Sequence, residues 1–415
     1  MDATEAVIAY YILFDDSEDD ENQLSIEERR RRDRRYPRKA VQYYPQSPFR
    51  YIFLSGDEQA LLNACGVDHK VFDELLQLFA PVYDTHTYNR ATGHIKKMRL
   101  FADGTPKNRP VPRHLDATGC LGLVLMWYRT RGSCARSLAL HFGLTSTPLY
   151  EWIKFGRRLL LYALQHVPAA KVYSPTPAEV EDYIGAIGAK YPIMGEERVW
   201  AACDGLKIRL QHSSHYLKQS HNYNGYTGAT YINAVYVFAP DGRIRICTIN
   251  CPGSWHDSTM ADYGVYRKMK YVYARDKAKV LCDSAFKLAK APYIIKSSQS
   301  EDPKLGERGV LINRQATSVR QFAEHGMRMI QGQFPRLKDP LQLEEFGERK
   351  VVLKLMVLLY NYQTSKVGMN QILNTFMSRT KGFESYEERI KFRGLEEQYH
   401  GYSHRIDHTA NSVLL

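Results

Sequence analysis

The sequence has few of the features that mark secreted or membrane proteins. Its seven cysteines are odd in number and scattered, and no Cys-x-x-Cys pair occurs. This spacing predicts neither a disulfide framework nor a zinc ribbon, and it favours a reducing compartment. The apolar run nearest the N-terminus, residues 6–14, is too short to cross a bilayer, and no basic region precedes it. We therefore expect no signal peptide and no membrane association.

Acidic residues are in the minority. The chain has 57 lysine and arginine residues against 45 aspartate and glutamate residues, which gives a net charge of +12 at pH 7. The pI is about 9.2. A chain this basic favours a polyanionic partner, and double-stranded DNA is the partner that we expect.

The first fifty residues carry charge in two blocks. Six acids lie between residues 15 and 21, and eight arginines and lysines lie between residues 29 and 39. Blocks of like charge at this density usually stay disordered, so residues 1–50 are predicted to form a tail. Three interpretations of the tail stay open: a solvated segment, a nuclear-import signal and a phosphate-binding arm.

The length of the chain predicts several domains, since single hydrophobic cores rarely grow past roughly 250 to 300 residues. Apolar residues recur at helical spacing over residues 56–79, where Pro81 is expected to close the run, and again over 115–128. We predict four regions after the N-terminal tail: a helical region at 51–170, a linker at 171–197, an α/β domain at 198–375 and a C-terminal tail at 376–415.

A helix-turn-helix pattern lies within the helical region. Apolar residues over 138–142 predict a short helix, and Gly143 is suited to a left-handed turn. Ser146 or Thr147 is the expected N-cap of a second helix, with Pro148 in its first turn.

The second helix of this pattern carries the side chains that we predict to contact DNA. Lys154, Arg157 and Arg158 are the candidate readers of phosphates or bases. Short helix pairs that turn on glycine are also common in ordinary bundles, so packing alone is the alternative interpretation.

From residue 199 the pattern changes to strands. Residues 199–204 form an apolar run that is expected to end at Gly205, with Asp204 at its exit. Residues 231–238 and 243–250 alternate in polarity, and Asp241-Gly242 between them is a strong hairpin turn. These segments predict three consecutive strands, of which the second and third are antiparallel.

A helix and a fourth strand follow. Residues 256–269 have helical spacing, and residues 279–283 form a second apolar run that ends in an acid, Asp283. Three strands, a helix, a strand and a later helix that carries Glu324 is the order of a ribonuclease-H-like α/β core, a mixed sheet with flanking helices. Here the core is preceded by an all-α region.

Three acids fall at the places in this core where a metal site is plausible. Asp204 and Asp283 lie at strand ends, and Glu324 lies at the edge of an apolar helical stripe. Phosphodiester chemistry uses such oxygen ligands, because two Mg²⁺ ions about 3.5 to 4 Å apart can activate the attacking oxygen and stabilise the leaving one. The alternative is that each acid serves as a cap or turn residue. The stripe consists of Val319, Phe322, Ala323, Met327 and Ile330.

A loop rich in histidine and tyrosine lies after the first strand. His212, His215 and His221 have no cysteine or acid at zinc-site spacing, which favours a solvated or DNA-facing loop over a zinc site. The loop also carries tyrosines beside basic residues, and we hypothesise that these stack on bases or contact phosphates. The tyrosines are Tyr216, Tyr223 and Tyr226.

Successive short blocks occur over residues 199–337. They are Cys203-Asp204-Gly205, Tyr223-Asn224-Gly225, Pro252-Gly253-Ser254-Trp255-His256-Asp257-Ser258, Leu281-Cys282-Asp283, and Asn313 with Ser318, Arg320 and Glu324 followed by Phe334 and Leu337. In this order the blocks resemble the PIF/Harbinger DDE transposases. They continue into Leu358-Leu359-Tyr360-Asn361, which is similar to that family's closing helix, and the helical region before residue 170 also resembles the family's N-terminal part.

The resemblance implies a catalytic triad of Asp204, Asp283 and Glu324 that binds a divalent cation, Mg²⁺ or else Mn²⁺. Asp204 and Asp283 would bridge or flank two ions, and Glu324 would complete the second ion's site. Asp257 has a supporting role in this assignment. It further implies action in the nucleus, a separate Myb-like DNA-binding partner and self-association into a homo-oligomer.

The expected activity is that of a metal-dependent endonuclease and strand-transfer enzyme at transposon ends. Arg320 and Arg328, one helical turn on either side of Glu324, are predicted to contact DNA. Where the family shows Gly, Lys and Arg after the glutamate, this chain has Arg328, Gln331 and Gln333, so it lacks one expected phosphate contact. The alternatives are a domesticated nuclease without transposition and a catalytically silent DNA-binding or scaffold protein.

Overall fold

The structure is a computed structural model, and it describes residues 42–88, 95–98, 113–131, 135–286, 291–296, 306–341, 346–368 and 370–377. The two charged blocks of the predicted N-terminal tail and the chain after residue 377 lie outside the described residues. No helix in the described ranges is both long and apolar enough to cross a membrane.

The first part of the chain is mainly helical. A short hairpin of β1 (His86–Tyr88) and β2 (Ile95–Lys97) interrupts the helices. The helical run predicted over 56–79 is divided by Gly66, which ends α2 (Glu58–Cys65) with a positive φ of 76°. The elements are a 3₁₀ turn at Tyr44–Gln46, α1 (Pro48–Leu54), α2 (Glu58–Cys65), α3 (His69–Thr85), β1 (His86–Tyr88), β2 (Ile95–Lys97), α4 (Ala117–Arg129), α5 (Ala135–His141) and α6 (Ser146–Leu164).

Pro81 does not end its helix as the sequence predicted. It lies inside α3, which continues for another turn to Thr85. The turn is stabilised from both sides, because the Thr85 hydroxyl donates to the Pro81 carbonyl at 2.7 Å. The buried Tyr83 hydroxyl donates to the Leu115 carbonyl at 2.6 Å. One local and one tertiary hydrogen bond thus support the turn that follows the proline, where the backbone lacks one N–H donor.

The helix pair at α5 and α6 is present, with Gly143 in the left-handed conformation at φ 62°. The N-cap of α6 is Thr145, one residue before Ser146 and two before Thr147, the two predicted caps. The apolar side of α6 is buried in the common core through Leu149, Ile153 and Leu159. The pair is therefore packed into the domain along much of its length.

The stretch predicted as a linker contains two helices, α7 (Pro177–Lys190) and α8 (Pro192–Glu196). Thr176 and Glu179 form a capping box at the start of α7. Val180 and Tyr183 of α7 are buried against the sheet together with Trp200. This stretch is therefore part of the sheet's packing and not a free connector.

A six-stranded mixed sheet forms the second part of the chain. Its strands are β3 (Val199–Arg209), β4 (Tyr223–Asn224), β5 (Ala229–Phe238), β6 (Ile244–Pro252), β7 (Lys279–Cys282) and β8 (Ile294–Lys296). The central strand β3 is antiparallel to β5 and parallel to β7. β6 is antiparallel to β5, β8 is parallel to β7, and the short β4 pairs with the start of β5.

Gly205 does not end the first strand as predicted. β3 runs without interruption through Asp204 and Gly205 to Arg209, and Gly205 pairs with Val235 of β5. Because the ladder to β5 continues on both sides, the glycine has partners for its backbone groups and no turn is formed. Asp204 therefore lies in the middle of a strand, not at its exit.

Helices cover both faces of the sheet. α9 (Tyr216–Asn222) precedes β4, while α10 (Asp257–Met260), a π-helical turn at Ala261–Val265 and α11 (Tyr266–Asp276) lead from β6 to β7. One face packs on α7 and α11. The other shares a continuous core with the N-terminal helices and with the later helices. These are α12 (Gly306–Gln333), a 3₁₀ turn at Pro335–Lys338, α13 (Phe346–Lys366) and α14 (Gln371–Phe376).

Candidate acidic site on the sheet

The first two acids of the predicted triad are brought side by side by the parallel pairing of β3 and β7. Cys203 of β3 is paired with Cys282 of β7. Asp204 and Asp283 are the next residues on the two chains, so they occupy equivalent positions on neighbouring strands, which lie about 4.8 Å apart in a sheet. The strand register therefore places these two residues next to each other, and their shared role in a metal site stays a prediction.

Glu324 reaches the same place from α12. The predicted apolar stripe of this helix is buried, including Val319, Ala323 and Ile330. The stripe packs α12 on the sheet face to which Asp204, Leu206 and Ile208 all project, because side chains two apart on a strand share a face. Glu324, at the margin of the stripe, is half-buried.

Asp257 is the fourth member of the acidic cluster. It is the first residue of α10, and its carboxylate lies against Gly205, where a Cβ atom would be 3.0 Å from Oδ1. A side chain at this position would make a tight contact, which Asp257 would have to relieve by shifting a few tenths of an ångström. The supporting role assigned to Asp257 stays a prediction.

The acids act on one another electrostatically. Burial and the charges of Asp283, Asp257 and Glu324 together raise the pKa of Asp204 to about 6, against a lowering by the hydrogen bond from its neighbour's amide. That bond runs from the Gly205 N–H to Oδ1 at 2.8 Å. Like charges held this close disfavour ionisation.

The pKa of Asp257 is raised as well. Burial is the main cause, and the charge of Asp283 adds to it, while Lys207 and His256 lower the pKa. Two acids of the cluster thus hold their negative charge at an energetic cost, which an added cation would relieve.

Arg320 lies between the second and third acids. Its Nη1 donates to Asp283 Oδ1 at 2.7 Å and its Nη2 donates to Glu324 Oε1 at 3.2 Å. Arg320 was predicted from the sequence to contact DNA, and its contacts with the two acids were missed. The four-residue spacing between Arg320 and Glu324 could have indicated the contact with Glu324, but no local pattern indicated the contact with Asp283.

The donors in this cluster suit a divalent cation in their chemistry. Aspartate and glutamate oxygens are the ligands that Mg²⁺ prefers, and burial together with the charges of the neighbouring acids raises the pKa of Asp204. In the described part of the chain, however, no three His, Cys, Asp or Glu side chains converge closely enough to hold an ion. The oxygens of Asp283 and Glu324 that meet Arg320 would have to be released before they could bind a metal.

Arg157, one of the predicted DNA readers, lies inside the protein. It is 2% exposed, its guanidinium stacks on Trp127 at 4.6 Å, and its Nη2 lies 3.7 Å from Glu348 Oε2. The prediction that Arg157 reads DNA from the helix surface is therefore wrong, because the buried charge pair between α6 and α13 holds this side chain.

The other predicted DNA contacts have different surroundings. Arg158 also forms an ion pair with Glu348. Lys154 lines a cleft, and Arg328 is exposed on α12. The other residues of the cleft were not identified from the sequence, because they come from α4, α6, residues 336–341 and α13.

The histidine and tyrosine loop contains no metal site within the described residues. His212 is hydrogen-bonded to Gln219 at 3.0 Å. Tyr216 and Tyr226 are 80% and 96% exposed. The stacking role of these tyrosines stays a prediction.

Comparison with known families gives one match. Residues 203–361 match the family described as DDE superfamily endonuclease. The matched segment runs from β3 into α13 and includes all four acids. The match supports the assignment of this segment to the DDE superfamily, with a nuclease- or transposase-like function. No curated protein and no solved structure matches the chain.

Proposed function

We propose that the chain is a metal-dependent DDE endonuclease that cuts DNA. One observation carries the proposal. Asp204 and Asp283 follow the paired residues Cys203 and Cys282 on neighbouring strands, and Arg320 joins Asp283 and Glu324 through hydrogen bonds of 2.7 and 3.2 Å. All three acids lie inside the segment that matches the DDE superfamily endonucleases.

We further propose a ribonuclease-H-like core of the PIF/Harbinger type. The support is the succession of three antiparallel strands, a crossover helix, a strand parallel to the first and a later helix with the third acid. The ordered blocks of the sequence resemblance add to it. Cutting and joining at transposon ends is the corresponding activity.

Asp204, Asp283 and Glu324 would hold the divalent cation, Mg²⁺ or Mn²⁺, and Asp257 would support Asp204 across Gly205. When bound, the cation supplies charge for the attacking and leaving oxygens of an in-line displacement. The chain's own contribution is positioning: β3 and β7 fix the two aspartates, and α12 brings Glu324 onto the same face. Arg320 would leave the acids and become a cation available to the DNA phosphates.

The remaining assignments rest on the sequence. DNA as partner is supported by the net charge of +12, and Lys154, Arg158, Arg320 and Arg328 are the proposed contacts. Action in the nucleus, a separate Myb-like partner and homo-oligomerisation follow from the resemblance to PIF/Harbinger transposases.

A catalytically silent DNA-binding protein is the second candidate. The contacts of Arg320 with both Asp283 and Glu324 favour it, because an arginine that neutralises these acids permanently would replace the cation. The two candidates differ in whether Arg320 can be displaced.

Nicking of supercoiled plasmid in Mg²⁺ or Mn²⁺ separates the candidates. We expect nicking by the wild type, and a loss of about a thousandfold or more in Asp204→Asn and Asp283→Asn, since each change removes a charged ligand. Asp262→Asn, at an exposed aspartate outside the cluster, is the matched control and should nick normally. If the wild type binds DNA but does not nick it in either metal, the result favours the catalytically silent DNA-binding protein.

A second assay distinguishes transposase from domesticated nuclease. The protein is given a pre-cut DNA end and a target plasmid. Joined products indicate strand transfer, whereas nicking without joining indicates a nuclease that has lost transposition.

A further inference from the structure

The crossover helix that leads to β7 carries a basic stripe on its outer side. α11 contains four cations and one acid. Arg267, Lys270 and Tyr271 are all exposed. Because the lysine and the tyrosine follow the arginine by three and four residues, the three side chains share one side of the helix. These three residues are called the α11 stripe below.

The other side of α11 is occupied by the protein itself. Tyr266, Met269 and Val272 are buried in the core between this helix and the sheet. A helix that binds a membrane surface inserts its apolar side among the lipids. Since the apolar side of α11 already packs on the sheet, only its charged side can meet a ligand.

The charges of the α11 stripe are not neutralised by neighbouring side chains. Asp276, the acid of this helix, forms an ion pair with Arg275 at 2.6 Å. In the described ranges, the side chains of Arg267 and Lys270 form neither an ion pair nor a hydrogen bond. A solvated helix face commonly pairs opposite charges three or four residues apart, and the α11 stripe has no such pair.

The neighbouring helix on the same face of the sheet has the opposite charge. α7 contains three acids and one lysine, and it contacts α11. Positive charge is therefore concentrated on α11 and is not spread evenly over this side of the protein. A local group of cations without acidic partners is the feature expected of a surface that binds a polyanion.

A continuous helix connects the α11 stripe to the acidic site. The residues at the junctions of α10, the π-helical turn and α11 all have right-handed helical backbone angles. Asp257 begins this helix, and its carboxylate lies against Gly205. At a rise of about 1.5 Å per residue, Arg267 and Lys270 lie roughly 15 and 20 Å further along, which corresponds to about four to six base pairs of duplex DNA.

We propose that the α11 stripe binds the phosphate backbone of duplex DNA that reaches the acids from the sheet face opposite α12. The inference rests on the proposed function, because it takes DNA as the ligand. Arg267 and Lys270 supply charged donors, and the Tyr271 hydroxyl supplies another. Contacts of this kind to phosphate position a duplex without reading its sequence. Arg320 and Arg328, proposed as contacts on α12, lie on the other face, so the DNA would be held on both sides of the acids.

The test is the affinity of the full chain for labelled duplexes of two unrelated sequences, measured by fluorescence anisotropy in EDTA across a salt series. We expect Arg267→Gln and Lys270→Gln each to weaken the binding of both duplexes about fivefold. Each should also reduce the steepness with which log K falls with log salt by about 0.9, because each removes one phosphate contact. The double variant should reduce it by about twice as much.

Two further variants serve as controls. Lys354→Gln removes an exposed lysine of α13, whose neighbours Leu353 and Leu355 are buried in the core on the other face of the sheet. This change should leave affinity and salt dependence as in the wild type. Arg267→Lys keeps the charge, so it should retain the salt dependence of the wild type.

Three results would overturn the proposal. The first is wild-type affinity and salt dependence in the double variant, with the protein folded by circular dichroism. The second is an equal loss in Lys354→Gln, which would indicate diffuse charge. The third is a loss in Arg267→Lys as large as in Arg267→Gln, which would indicate a role of the arginine in the fold and not in binding a phosphate.

The measurement also separates this inference from the proposed function. No DNA is cut in EDTA, so a silent protein and a nuclease give the same binding result. A wild type without affinity for DNA would remove both the proposed substrate and the ligand of the α11 stripe. Normal wild-type binding that is insensitive to Arg267 and Lys270 would remove only the stripe.

Discussion

Two charge clusters in this protein have opposite compositions. At the sheet, one arginine, Arg320, is shared by two carboxylates, Asp283 and Glu324. Between α6 and α13, one carboxylate, Glu348, is shared by two arginines, Arg157 and Arg158. The first cluster leaves acids in excess and the second leaves cations in excess.

The clusters also differ in exposure. The side chains of Arg320, Asp283 and Glu324 are 31%, 37% and 40% exposed, whereas those of Arg157 and Glu348 are 2% and 11% exposed. Water can replace a partner in the first cluster at small cost, but not in the second. The buried cluster therefore holds α6 and α13 together, whereas the more exposed cluster at the sheet can exchange its partner.

The buried cluster should be the more costly one to break. We expect Glu348→Gln to lower the free energy of unfolding by about 3 to 5 kcal/mol, because the change takes the opposite charge away from the buried Arg157. Chemical denaturation of the variant and the wild type measures the difference.

Glu181→Gln is the control for this prediction. Glu181 pairs with Arg198 at the surface, with side chains 57% and 37% exposed, so its loss should cost less than about 1 kcal/mol. Equal effects of the two substitutions would show that burial does not distinguish the pairs.

The acidic cluster should instead gain stability when one charge is removed. Because the pKa of Asp204 is raised to about 6 from its ordinary value of 3.8, the folded protein binds this proton more tightly than the unfolded chain. Stability is then lost as the pH rises from about 4 through 6. We expect Asp204→Asn to raise the free energy of unfolding by about 3 kcal/mol at pH 8.

The same substitution should have almost no effect at pH values below about 4, where Asp204 is protonated in both states. Thermal unfolding at the two pH values measures this difference, and asparagine can still accept the hydrogen bond from Gly205. A stabilisation that is equal at both pH values would contradict a charge effect at Asp204.

Local patterns were sufficient for much of the sheet. The hairpin at Asp241-Gly242 was predicted from its turn residues, and Gly242 has the positive φ of 76° that this turn requires. The strand that ends before Asp283 was predicted from a continuous apolar run. The docking of α12 was predicted from its apolar spacing, which is intrinsic to the helix.

The errors come from contacts that the local sequence does not contain. Gly205 was expected to end β3, but pairing with Val235 of β5 extends the strand. Arg157 was expected at the surface because α6 carries basic residues, but its partner Glu348 lies far along the chain. Tertiary pairing decided both cases.

The sequence was sufficient to propose which acids belong to the site, but not which residues they contact. The resemblance supplied Asp204, Asp283, Glu324 and Asp257, since each lies in a short ordered block. Whether an arginine lies among the acids depends on the packing of α12 against β7, over a separation of 37 residues between Asp283 and Arg320.

The smallest expected effect tests whether Arg320 can be exchanged. We expect Arg320→Gln to tighten the binding of Mn²⁺ about tenfold, equivalent to about 1.4 kcal/mol, because the cation no longer competes with the arginine for Asp283 and Glu324. Isothermal titration calorimetry measures the affinity without any need for DNA cleavage. Arg314→Gln, at an exposed arginine on the same helix, should bind Mn²⁺ as the wild type does. Weaker binding by Arg320→Gln would mean that the arginine supports the site, and no binding by any of the three proteins would mean that the acids hold no metal.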